Sequence, residues 1–180
     1  MIIDTAIVAI IVSFFTTVIS WFVLHFLYNR REDRRRSIEA YKEHLQKQIE
    51  ELYGPLYGLI QYGEVLNEVE QQRIPKDADD EKYAEIIDFI REKYYLPLNT
   101  RMLELIRSKT HLLDKEIMTK DLKDFLRHAA QFECFHKLYK ERGIQSHKFQ
   151  PIEYPADFKK EIKETLYALV DKYKKQIIKS

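Results

Sequence analysis

The chain has 180 residues and a formal net charge of +1, set by 30 basic and 29 acidic side chains. That balance excludes the global basic field of a dedicated nucleic-acid binder. The lone cysteine, Cys134, excludes an intrachain disulfide framework and fits a reducing compartment. With 4 Gly, 5 Pro and 12 Tyr among long runs of Glu, Lys, Leu and Ile, the composition favours helices.

The first element organises the rest. From Ala6 to Tyr28 the only side chain that can carry a charge near neutral pH is His25, and neither Gly nor Pro interrupts. About 23 residues of helix reach roughly 35 Å, enough to cross a hydrocarbon core of about 30 Å. A cleaved secretory signal would place positive charge before a shorter apolar run. Here Asp4 precedes it, and Arg30, Arg31, Arg34, Arg35 and Arg36 follow. The segment therefore reads as a permanent anchor over residues 1–28. The positive-inside rule places its N-terminus outside and the chain from Asn29 onward in the cytoplasm.

At 100° per residue, Ala6, Ala9, Ser13, Thr16, Thr17 and Ser20 share one stripe, while Val8, Ile11, Phe15, Ile19, Phe22 and Phe26 take the opposite side. Small and hydroxylated residues let membrane helices pack closely. In a ring of such helices the same stripe would line a water-filled lumen, and a single span conducts only as an oligomer. Both readings stand at this point.

Residues 29–53 continue the helical pattern through Ile38, Tyr41, Leu45, Ile49 and Leu52. The five arginines form a basic collar that fixes topology and contacts anionic lipid; in an oligomer they would form a cationic ring favouring anions. Gly54 and Pro55 should then bend or restart the helix. They serve either as a packed kink or as a hinge between the span and residues 54–180, which read as one cytoplasmic helical domain.

Within that domain Leu56, Leu59, Ile60, Val65, Leu66 and Val69 make an amphipathic helix to about Gln72. A polar linker, 73–80, follows. Tyr83, Ile86, Ile87, Ile90 and Tyr94 mark a further helix, which Pro97 is expected to interrupt, with Asn99 or Thr100 capping the next. Thr119 should cap a long helix from Lys120 to Arg142, with Leu122, Phe125, Leu126, Ala129, Phe132, Phe135 and Leu138 inward. The last helix, Ala156 to Ile178, turns Phe158, Ile162, Leu166, Leu169, Tyr173 and Ile177 to one side. No window alternates with a strand's period, so the expected class is an all-α bundle.

Chemistry-bearing motifs are sparse. His128, Glu133, Cys134 and His136 share one helix without presenting a tetrahedral ligand set, so no metal and no cofactor are expected. Cys134 beside Phe132 and Phe135 reads as a packed thiol. One pair stands apart, the Arg142 to His147 spacing in RGIQSH, at the end of the long helix. An imidazole that titrates near neutrality beside a fixed cation is what metal-free RNA cleavage needs. Such R-x4-H pairs mark helical HEPN ribonucleases, which join two copies at a dimer interface. Gly143 stands where those nucleases usually carry a supporting polar residue, and it suits a left-handed helix cap. The pair is an active site, an inactive or RNA-contacting remnant, or a coincidence of composition.

One N-terminal span, a basic collar, a helical domain of about 150 residues and a divergent HEPN-like RGIQSH together resemble a known family. It is that of the small membrane accessory proteins encoded beside the RNA-guided RNA-cleaving effector of type VI-B CRISPR systems. The resemblance implies a HEPN-like bundle and a homo-oligomeric ring, eight-fold, forming a pore in the bacterial inner membrane. It further implies a functional link to the effector, enhancing antiviral defence by depolarising infected cells, with Arg142 and His147 required without necessarily performing hydrolysis. A membrane-tethered HEPN ribonuclease and a non-catalytic membrane adaptor are the alternatives.

Overall fold

A computed structural model describes residues 5–73, 80–114, 118–143 and 153–178. Over these residues the chain is all-α, with no strand among them. It divides into two compact units, Met1–Glu43 and His44–Ser180.

The first unit consists of helix α1, which spans Thr5–Lys47 and passes its last residues to the second unit. Freedom from Gly and Pro lets it run unbroken. From Val12 to Tyr28 every side chain is exposed, Phe22 and Leu24 to 67% each. This is the one helix among the described residues long and apolar enough to cross a membrane.

The second unit packs α2 (Gly54–Arg73), α4 (Leu96–Ser108), α5 (Lys120–Arg142) and α6 (Phe158–Ile178) around one core, with α3 (Asp80–Ile90) at its edge. Leu52, Leu56, Met102, Ile106, Phe125, Phe158 and Leu169 are fully buried at its centre. The Phe125 and Phe158 rings stack in parallel with centroids 4.4 Å apart, fastening α5 to α6. Each such buried side chain contributes about 1.5–3 kcal/mol relative to exposure.

Two wide π-helical stretches lie inside this unit, π1 over Gln48–Tyr53 and π2 over Arg91–Tyr95. Each ends two residues before a proline, Pro55 or Pro97. A proline in a regular helix loses one donor and presses its ring against the carbonyl four residues earlier. A π turn moves that carbonyl aside. The chain therefore stays helical through Pro97, contrary to the interruption expected there, and Asn99 and Thr100 lie inside α4 rather than capping it.

Gly54 is equally helical, with φ −64° and ψ −55°, and its N–H donates to the Ile49 carbonyl five residues back. Its role is contact rather than conformation, since a Cβ there would lie 2.6 Å from that same oxygen. The expected restart is thus a change of helical pitch.

The α5 helix has the ends that local chemistry dictates. The Thr119 hydroxyl accepts from Leu122 N at 3.3 Å, and Gly143 closes the helix in the left-handed region at φ 65°, its N–H donating to Tyr139.

Burial departs from expectation at the periphery. Ile86 of α3 and Tyr94 of π2 are more than 40% exposed, whereas Ile87 of α3 is buried; α3 contacts π2, which follows it directly. Val65 and Val69 are also half exposed. They project more than 120° away from Ile60 around α2, whose opposite side carries the core contacts. Phe132, Phe135 and Leu138 are half-buried, and Ile177 is exposed.

Candidate functional site

Ser13, Thr16, Thr17 and Ser20 lie on α1 with their side chains exposed. The Thr16 hydroxyl donates to Val12 O at 2.7 Å and that of Thr17 to Ser13 O at 2.9 Å. This back-bonding satisfies each hydroxyl proton inside its own helix and leaves the oxygen as an outward acceptor.

The collar arginines are exposed and unequal. Arg30 lies over the Phe26 ring at 5.1 Å. Arg35 pairs with Glu39 at 3.4 Å and Arg36 with Glu32 at 3.3 Å, while Arg31 and Arg34 form no ion pair among the described residues.

Three side chains of π1 converge on the segment joining α4 to α5. Gln48, buried, donates its amide to Leu112 O at 2.9 Å, and Glu51 receives the Lys109 ammonium. The Tyr53 hydroxyl accepts Asp114 N–H at 3.0 Å. The Lys109 ammonium holds the Glu51 carboxyl below its ordinary range, and burial pushes the Tyr53 phenol up. Gly54 and Pro55 follow directly, so the predicted hinge position adjoins a three-point clasp that sequence periodicity did not reveal.

Arg142 is the last residue of α5 and exposed; His147 lies outside the described residues. Among those residues no group of three His, Cys, Asp or Glu is placed to hold a metal ion.

The helical unit also has a cleft of about 520 Å³, formed by one side of α2, the junction of π2 with α4, the middle of α5 and the start of α6. Gly63 allows α2 to approach α4, where a Cβ would stand 3.1 Å from Leu98. Leu59, Ile60, Leu98, Met102 and Phe132 supply apolar walls. The His128 ring meets Tyr154 edge-on with centroids 5.5 Å apart. Lys159 donates to both carboxylate oxygens of Glu64, which raises the ammonium pKa. Desolvation raises the Tyr95 hydroxyl well above its ordinary value, helped by its hydrogen bond to Glu70, and burial does the same for Tyr154.

Asn67, the neighbouring pair Tyr95 and Asn99, His128 and Tyr154 come from four separate stretches of chain, and none was expected to form a site. The signal available in the sequence was Asn99 itself, a polar residue on the stripe of Met102 and Ile106 in α4.

No known protein family matches the chain, and no characterised protein or solved structure is significantly similar to it.

Proposed function

We propose that this protein is a membrane-anchored subunit of a homo-oligomeric pore. α1 crosses a bacterial inner membrane with its N-terminus outside, and the helical unit lies in the cytoplasm. Copies assemble into a ring, eight-fold in the family the sequence resembles, with the face of Ser13, Thr16, Thr17 and Ser20 toward the lumen. The pore depolarises the membrane and so strengthens RNA-targeting antiviral defence beside an RNA-guided nuclease. The protein is not itself an enzyme, and Arg142 and His147 serve assembly or RNA contact.

One observation carries the reading. Every side chain from Val12 to Tyr28 is exposed on the single chain, so lipid or further copies must cover that surface. Insertion of each Leu, Ile, Phe or Val contributes about 0.3–0.6 kcal/mol, which favours the bilayer for the bulky face. The Thr16 and Thr17 oxygens add outward acceptors on the other face.

The test is conductance of the reconstituted full-length protein. Thr16→Leu/Thr17→Leu should reduce ion flux at equal incorporation. Equal flux in wild type and variant would remove the stripe from the lumen. A dimer that cleaves RNA, with cleavage abolished by His147→Ala, would replace the pore with a tethered ribonuclease. Neither conductance nor cleavage would leave a membrane adaptor.

A further inference from the structure

We propose that α3 of one copy docks on α6 of the next, through two faces of opposite charge that a single chain carries and leaves apart. The inference rests on the reading of the protein as a homo-oligomer and adds to it the surface through which the copies meet.

Helix α3 is acidic, with four acidic residues and one basic among its 11. Its exposed side carries Glu85, Ile86, Asp88 and Phe89, the last 55% exposed. Helix α6 is basic, with six lysines against three acidic residues among its 21. On the side away from buried Leu169, Lys160, Lys163, Tyr167, Lys174 and Ile178 form an exposed stripe, Tyr167 to 58%. Glu164 and Asp171 share that stripe, but Asp171 is paired with Lys175 at 2.6 Å, so the stripe stays net positive. Among the described residues no ion pair engages Glu85, Asp88, Lys160, Lys163 or Lys174.

Within one chain neither face covers the other. The α3 helix contacts π2, whereas α6 packs on π1, α2 and α5. Charge decides the occupant. An anionic lipid surface or a nucleic acid would satisfy α6 and repel α3, and a basic partner would do the reverse; a second copy satisfies both. Glu85 and Asp88 are three residues apart, as are Lys160 and Lys163. The rise between the charges is thus about 4.5 Å on each helix, and both pairs can form together. Phe89 and Tyr167 supply the apolar surface that excludes water beside them. Each contact leaves α6 of one copy and α3 of the other open, so it repeats until the copies close into a ring, whereas a two-fold dimer would use one face twice. A contact between two helices falls below the roughly 1,200 Å² of a standard stable interface, and anchoring in one membrane supplies the effective concentration that it needs.

The mass of the full-length protein in lipid nanodiscs tests the contact. Glu85→Lys/Asp88→Lys and, separately, Lys160→Glu/Lys163→Glu should each lose the wild-type assembly while keeping its helical circular dichroism, since all four side chains are exposed. The chain that carries all four substitutions should regain the assembly, because the exchanged charges still attract across the contact. Glu85→Gln/Asp88→Asn, which adds no charge, should give a smaller loss of the same kind, and it decides the matter if a reversed variant fails to fold. Assembly undiminished by the reversed pairs, or lost in both and not regained when they are combined, would overturn the contact and leave the pore reading standing. Wild type that stays monomeric would overturn both.

Discussion

The phenol oxygen of Tyr53 accepts the backbone N–H of Asp114 at 3.0 Å, across 61 residues of sequence. With Gln48 on Leu112 O, it ties π1 to the turn between α4 and α5 through two backbone groups that no regular helix would satisfy. The helix leaving α1 is thereby fixed to the bundle just before Gly54 and Pro55.

Tyr53→Phe removes the acceptor and leaves the Asp114 N–H in a partly buried position. The expected loss is about 1–2 kcal/mol of unfolding free energy, measured by urea denaturation. Tyr62→Phe, at a half-exposed position, should stay within about 0.5 kcal/mol of wild type. Equal midpoints for the two variants would show that the Tyr53 contact contributes nothing.

Two helical glycines should respond in opposite directions to alanine. At Gly58 nothing lies within 4 Å of an added Cβ, so Gly58→Ala should stabilise by about 0.5–1 kcal/mol. At Gly54 the Cβ meets Ile49 O at 2.6 Å, and relief requires the π turn to shift, for an expected loss of about 1–3 kcal/mol. Thermal midpoints measure both, and stabilisation by Gly54→Ala would contradict the π geometry.

The Glu92 carboxyl is held down to about 2, first by its bond to Lys140 and then by Lys93. In the unfolded chain it titrates near 4.5. Its contribution to stability is therefore complete above about pH 4.5 and is lost as pH falls toward 2. Wild type should lose more stability than Glu92→Gln between pH 5 and 2, and the excess should shrink in ~1 M salt because the pair is at the surface. Parallel pH profiles would sink this assignment.

Within the collar, Arg35 and Arg36 are each neutralised by a glutamate one turn away, whereas Arg34 has no such pair among the described residues. Arg34→Gln should therefore lower anion over cation permeability of the reconstituted protein more than Arg36→Gln does. Reversal potentials under a salt gradient measure it, and indistinguishable shifts would show that local pairing does not set the field at the mouth of the proposed pore.

How far these features could be read from sequence depends on the range of the interaction behind each. The ends of α5 were legible because Thr119 and Gly143 act within one turn of themselves. The apolar run of α1 was legible because length and hydropathy alone define it. Pro97 misled because the accommodating π turn is a property of the packed chain, whereas the proline's cost is local. The spacing of Ile86, Ile87 and Tyr94 identified a helix but not what would cover each side of it. Asn99 read as a cap because Asn suits caps, and only the arrangement of α2, α4 and α5 turns it into a wall of the cleft. For the Arg142–His147 pair, only Arg142 falls within the described residues.

The central claim, that the exposed face of α1 is covered by further copies of the chain around a lumen, is tested most directly by the mass of the full-length protein in lipid nanodiscs. The account predicts a single species of six or more copies, its mass falling when Thr16 and Thr17 are replaced by Leu. A monomer or dimer under the same conditions would contradict it.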